Sequence, residues 1–179
     1  QKIMQQAIAE LRAEGLDVAG LSESEAETVK HDTYIDDSTI EIDMLAELPD
    51  DYVRQPAEKL RLYRELGSIR REEDLLAFRD RLIDRFGPLP EAAVELLNVV
   101  RLRWEAVRLG MERVKVKNGL MIVQFVGEQN SPYYKSETFM TLLRRITAQP
   151  DRFVLKQHNN RLAMTVRRVM NCLLYTSDA

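Results

Sequence analysis

Few residues in this chain are of types that do chemistry, and their spacing works against it. There are two histidines and one cysteine. His31 falls in an acidic stretch, and His158 in a turn sequence with Asn159 and Asn160. A histidine acid, base or metal site would require both to leave those contexts. Cys172 has no partner within the chain and cannot build a zinc site; a lone cysteine fits a reducing cytoplasm. Asp32, Asp36, Asp37, Glu41 and Asp43 offer oxygens of the kind a hard cation takes. No loop with a turn glycine makes them converge, so they read as a solvated acidic strand edge. Neither a G-x-x-x-x-G-K-[ST] nor a G-x-G-x-x-G pattern occurs, so no phosphate-cradling loop is expected. No catalytic set, cofactor or metal is expected from these residues.

One further set suits nucleic acid. Arg144, Arg145, Arg152, Lys156, Arg161, Arg167 and Arg168 could contact phosphates, and Tyr133, Tyr134 and Phe153 could stack on bases if exposed. Ordinary surface charge is the competing reading, because Phe153 alternates with Leu155 as a core strand residue does. The net charge of −3 hides an asymmetry. Residues 16–53 hold twelve acidic side chains against one lysine, whereas residues 128–171 hold eight basic against three acidic. The chain is an acidic segment followed by a mildly basic body. No apolar run approaches the ~18–20 residues that cross a bilayer, so no membrane partner is expected.

The elements that must position these residues follow from periodicity. Ile3, Ile8 and Leu11 recur at helical spacing before Gly15, and the chain opens without a methionine. Residues 1–15 therefore read as the terminal helix of a domain missing upstream, and residues 16–32 as an acidic linker. A domain is expected over residues 33–171. Ile40, Ile42 and Met44 alternate with charge as in a half-buried strand, and Pro49-Asp50-Asp51 is turn chemistry. A first helix from Pro56 carries Leu60, Tyr63 and Leu66 on one face, with Leu62 beside them, and stops at Gly67. The second opens on Glu72-Glu73-Asp74, anions favoured at a helix N-terminus, and its stripe is Leu75, Phe78, Leu82 and Phe86. Gly87 is expected to close it in the left-handed conformation, and Pro88 cannot continue it.

A third, longer helix runs from Pro90-Glu91 to Gly110 with Ala93, Leu97, Val100, Trp104 and Val107 inward, and an Arg101–Glu105 pair outside. Thereafter the period becomes two. Val114 and Val116, the Asn118-Gly119 turn and residues 120–126 predict one hairpin. Residues 153–157 and 162–166 predict another across His158-Asn159-Asn160, with a helix over 135–148 between the hairpins. The fold class is α+β: a strand, a helical hairpin with a third long helix, then two β-hairpins flanking a further helix.

Four motifs come in series: Leu48-Pro49-Asp50-Asp51-Tyr52-Val53, the helix Arg61-Leu62-Tyr63-Arg64-Glu65-Leu66, Leu82-Ile83-Asp84-Arg85-Phe86-Gly87-Pro88-Leu89-Pro90, and Leu102-Arg103 through Leu109-Gly110. In order and spacing they resemble the C-terminal domain of the bacterial transcription-repair coupling factors, over about residues 40–168. Residues 1–15 resemble the last helix of that family's motor region. Residues 172–179 instead resemble the translation of a sequencing adaptor and read as a non-native tail, so the domain is expected to be cut short after Arg168.

The resemblance implies a parent that is an ATP-driven DNA translocase, which dislodges stalled RNA polymerase and recruits UvrA; its ATPase motifs are absent here. It implies that this domain is not an enzyme. The domain would fold back on the parent's UvrB-like module and mask the UvrA surface until polymerase is engaged. A family likeness does not locate the contact. The candidates are polar residues of the second helix outside its apolar stripe, Asp80, Asp84 and Arg85, with Phe86, Gly87 and Pro88 as the structural turn. The alternative is a nucleic-acid-binding module built on the basic C-terminal half.

Overall fold

The first strand pairs with a partner more than seventy residues away, and the three elements between the two are all helices. This computed structural model describes residues 33–167; the expected helix over 1–15, the linker 16–32, His31, Arg168 and the 172–179 tail lie outside the described residues. The elements run β1 (Thr39–Ile42), α1 (Pro56–Ser68), α2 (Glu72–Phe86), α3 (Glu91–Arg108), β2 (Met111–Lys117), β3 (Leu120–Phe125), a 3-10 turn (Pro132–Lys135), α4 (Glu137–Ala148), β4 (Phe153–His158) and β5 (Arg161–Val166). The α+β architecture expected from periodicity is present. No helix among the described residues is long and apolar enough to cross a membrane.

The sheet order is β1-β2-β3-β5-β4, with β1 parallel to β2 and every other pair antiparallel. Two tight turns set its register. Asn118 and Gly119 have φ of 52° and 71°, and Asn159 and Asn160 have 49° and 61°. Positive φ at both central residues matches the twist of the flanking strands, and Asn and Gly tolerate it best. The second turn is therefore the two asparagines alone; His158 is the last residue of β4, opposite Arg161.

Two apolar cores result. Leu62, Leu66, Leu75, Phe78, Leu82, Ala93, Leu97 and Val100 bring α1, α2 and α3 together around Leu48 and Val53. Val114, Val116, Met121, Val123, Phe125, Met164 and Val166 line one face of the sheet, which is covered by Tyr133, Phe139 and Ile146. The same helix, α3, contributes Ala93 and Leu97 to the first core and Ala106 to the second.

Several details differ from the periodic reading. Leu60 is 51% exposed, because α1 turns Leu62 and Leu66 inward with Tyr63 half-buried beside them. Arg101 does not pair with Glu105. It reaches Glu72 of α2 at 2.6 Å, while Glu105 takes Arg108 at 2.5 Å. The last long helix starts at Glu137, where the Ser136 hydroxyl accepts the Phe139 N–H.

The bend from α3 into β2 is tight. Gly110 has φ +71°, and a Cβ there would overlap the ring of Tyr133. The Tyr133 hydroxyl donates to the Leu109 carbonyl at 2.5 Å, and its ring meets Tyr34, Tyr134, Phe125 and Phe139. Burial pushes the Tyr133 hydroxyl well above the usual phenol pKa. The folded chain thus keeps a proton that an unfolded tyrosine loses above about pH 10, so stability falls as pH rises past that value. Thermal melts across pH should be flat through neutrality and drop in alkali. Tyr133→Phe should lessen that drop while costing about 0.5–1.5 kcal/mol at neutral pH. An alkaline drop unchanged in this variant would place the responsible group elsewhere.

Candidate docking surface on the helical hairpin

The loop before α1 clamps the hairpin from below. The Tyr52 hydroxyl lies 2.8 Å from the Gly87 carbonyl and 3.1 Å from that of Leu82, donating to the end of α2. Its ring packs on Phe86 at 5.6 Å. The Gly87 N–H donates to Ile83 at 2.9 Å and closes the helix. Gly87 itself sits at φ +89°, ψ −168°. That is the mirror-image extended region rather than the left-handed helical one expected, and it is open essentially to glycine alone. Pro88 then carries the chain towards α3. At the other end of the hairpin the Trp104 indole N–H donates to the Ile69 carbonyl at 3.1 Å, fastening the α1–α2 bend to α3.

Arg85 crosses to α1 and donates to Glu58 at 2.6 Å; Arg61 reaches the same carboxylate at 2.6 Å. The Arg61 hydrogen bond holds the Glu58 carboxyl below the usual carboxylate range. Arg81, one turn earlier, pairs with Glu65 of α1. These two bridges flank a groove of about 180 Å³ floored by Leu62, Phe78 and Leu82. Arg85 is therefore committed to holding the two helices together. Asp80 takes its neighbour Arg79 at 2.7 Å in an exposed pair. Asp84 is exposed and forms no hydrogen bond or ion pair among the described residues. Both arginines within its reach along the helix turn away to α1.

Asp80 and Asp84 are one turn apart on a helix and so share a face. Ile83 joins them there, 39% exposed and outside the buried stripe of Leu75, Phe78 and Leu82. Sequence reasoning passed over Ile83. The signal available was that it breaks the apolar period of α2, which leaves it no place in the core. The arrangement is an exposed aliphatic side chain between two carboxylates on a rigid helix, one of them unpaired. It can receive a cationic, partly apolar surface.

The other candidate sets come out differently. Tyr133 is fully buried, and the Tyr134 hydroxyl donates to the Val126 carbonyl. Phe153 packs against the sheet core. These rings form no exposed platform for bases. Arg161 is drawn to Glu112 at 3.0 Å, whereas Arg144, Arg145 and Lys156 point to solvent. In the acidic set, Asp37 faces Arg103 at 3.7 Å, Glu41 faces Arg113 and Lys115, and the Asp43 carboxylate accepts the Asn118 N–H. Among the described residues no three metal-ligating side chains converge.

Comparison with known proteins points one way. The family model described as the TRCF domain matches residues 42–136. The transcription-repair-coupling factor of Rickettsia conorii is 28% identical over 121 residues, which is 68% of this chain and 10% of that protein. That of Escherichia coli is 34% identical over 86 residues, 48% of this chain and 8% of that protein. The chain spans about a tenth of the length of the curated relatives it matches. A crystal structure of the C-terminal domain of transcription-repair coupling factor shares the fold, with a TM-score of 0.55 at 18% identity, over 75% of this chain and 82% of that one.

The two kinds of residue on this surface should separate in mutation. Gly87→Val forces a side chain into a glycine-only region and should cost about 1–3 kcal/mol or more. Asp84→Ala should shift the melting temperature by less than about 3 °C, as exposed and unpaired positions do. Paired thermal melts check both, and a large loss from Asp84→Ala would make Asp84 a structural residue instead.

Proposed function

The chain belongs to the TRCF domain family, and we propose that it is the regulatory, non-catalytic C-terminal domain of a transcription-repair coupling factor. It docks on the UvrB-like module of its own parent protein and masks the surface that UvrA uses, until the parent engages stalled RNA polymerase on DNA. The ATP-driven translocation belongs to parent segments beyond this chain.

The observation that carries this reading is the state of Asp84. Arg79, Arg81 and Arg85 around it are all paired within the domain, and Asp84 is left exposed on a helix whose end is clamped by Tyr52 and Gly87. A carboxylate held out in this way is ready for a cation on another surface. Asp80 and Ile83 extend the contact, and an interface mixing charge with a small apolar centre suits an association that must open again. Tethering makes such a contact effective. A flexible linker raises the local concentration to about the millimolar range, so a contact with Kd of ~0.1 mM stays mostly closed. UvrA or polymerase then needs only to outcompete a weak contact.

Calorimetric titration of the chain into the parent's UvrB-like module, at low and moderate salt, tests this. Binding that weakens with salt, falls with Asp84→Ala and is displaced by UvrA is the expected result. Binding indifferent to UvrA, or none at all, would overturn the masking role.

A further inference from the structure

The sheet has a second face that neither core uses. Strand alternation turns Val114, Val116, Val123 and Met164 inward and sets a different group outward. The pairing register aligns that group in rows across the strands. Glu41, Lys115, Ile122, Thr165 and Val154 form one row, and Thr39, Arg113, Gln124, Ala163 and Lys156 the next. Lys117 stands opposite Leu120 in a third. Ile122 and Leu120 are 42% and 41% exposed, with Lys115 opposite Ile122 and Lys117 opposite Leu120.

We infer that this open sheet face is a docking site for an acidic polypeptide segment carrying aliphatic side chains, supplied by a partner protein. Charge is the first argument. Arg113, Lys115, Lys117 and Lys156 face outward, and Arg167 continues β5 on the same side by alternation. Against them stand Glu41, Asp43 and Glu112, the last paired at 3.0 Å with Arg161, which alternation also sets on this face. Glu41 lies 3.7 Å from both Arg113 and Lys115, and exposed contacts of that length contribute little and leave the cations available. Lys117 and Lys156 form no ion pair among the described residues.

The apolar centre is the second argument. Four strands at ~4.8 Å spacing place Lys115 and Val154 about 14 Å apart, with Ile122 between them. A ligand that satisfies the cations must also cover that strip, which carboxylates on an aliphatic segment do and a sugar-phosphate backbone does not. A single strand would need rings to stack on, and Tyr133, Tyr134 and Phe153 all lie against the core on the opposite side of the sheet. This surface is separate from that of α2 and carries the opposite sign.

The test uses the isotope-labelled 179-residue chain, with amide shifts followed by NMR. The probes are a seven-residue peptide alternating aspartate or glutamate with leucine, the same peptide with lysine in place of the acids, and a twelve-nucleotide thymidylate. The acidic peptide should move the amides of Lys115, Ile122 and Thr165, and the lysine peptide should not. The double variant Lys115→Glu, Lys117→Glu should weaken the acidic peptide at least about tenfold, a loss of about 1.4 kcal/mol in binding, with unchanged melting. If that variant melts early, Lys156→Glu on the far edge should still weaken binding. Shifts that are absent or lie elsewhere, or thymidylate binding the same amides more tightly than the peptide, would overturn the proposal.

Discussion

The helix α3 belongs to both cores, and the rest of the domain depends on that sharing. It gives Ala93, Leu97 and Val100 to the helical core, and its last turn gives Ala106 to the sheet. Two short helices such as α1 and α2 are marginal in water without a third surface to bury against. The sheet in turn needs a cover over β1 and β2. One rod serves both, and the Trp104 indole and the Arg101–Glu72 bridge lock α2 and the α1–α2 bend to it. Gly110 then turns the chain so that β2 begins directly under the helix that precedes it. A displacement of α3 would therefore be felt at once in the hairpin and in the sheet.

What was legible in the sequence was what depends on neighbours along the chain. Leu75, Phe78 and Leu82 recur at helical spacing and are buried as that spacing requires. Asn118-Gly119 announced a hairpin because few other pairs accept positive φ twice. What was hidden depends on partners far away. Arg81, Arg85 and Arg101 each have an acidic residue nearby in sequence, yet each reaches a different helix, and no periodic argument chooses between those options. The docking candidates show the same limit. Asp80, Asp84 and Arg85 looked equivalent as polar residues off the stripe, and only the cross-helix bridges separate the committed arginine from the unpaired carboxylate. The parallel pairing of β1 with β2 was likewise invisible, since alternation gives a strand's faces but not its neighbour.

The electrostatics of the domain have a plain geometric order. Arg81 and Arg85 of α2 and Arg101 of α3 cross between helices and act as ties, where a planar, multidentate donor is an advantage. Lys115, Lys117 and Lys156 stand on the outward sheet face, where a flexible point charge stays hydrated. Carboxylates left over on α2 face solvent on a different side. The near-neutral total thus arises from spatially sorted charge, and each sorted surface selects the sign of what approaches it.

The distance between β1 and β2 also has a consequence for synthesis. Thr39 pairs with Arg113, so β1 leaves the ribosome with no strand to join until the three helices have followed it. At ~5–20 residues per second that interval is about 4–15 s, long compared with helix formation. The helical core draws on residues 48–104 and can close within the interval without the sheet. β1 waits as an exposed edge of four residues, and Glu41, with Asp43 just beyond it, guards it against wrong partners. The order of emergence therefore makes the hairpin the template on which the sheet is later laid down.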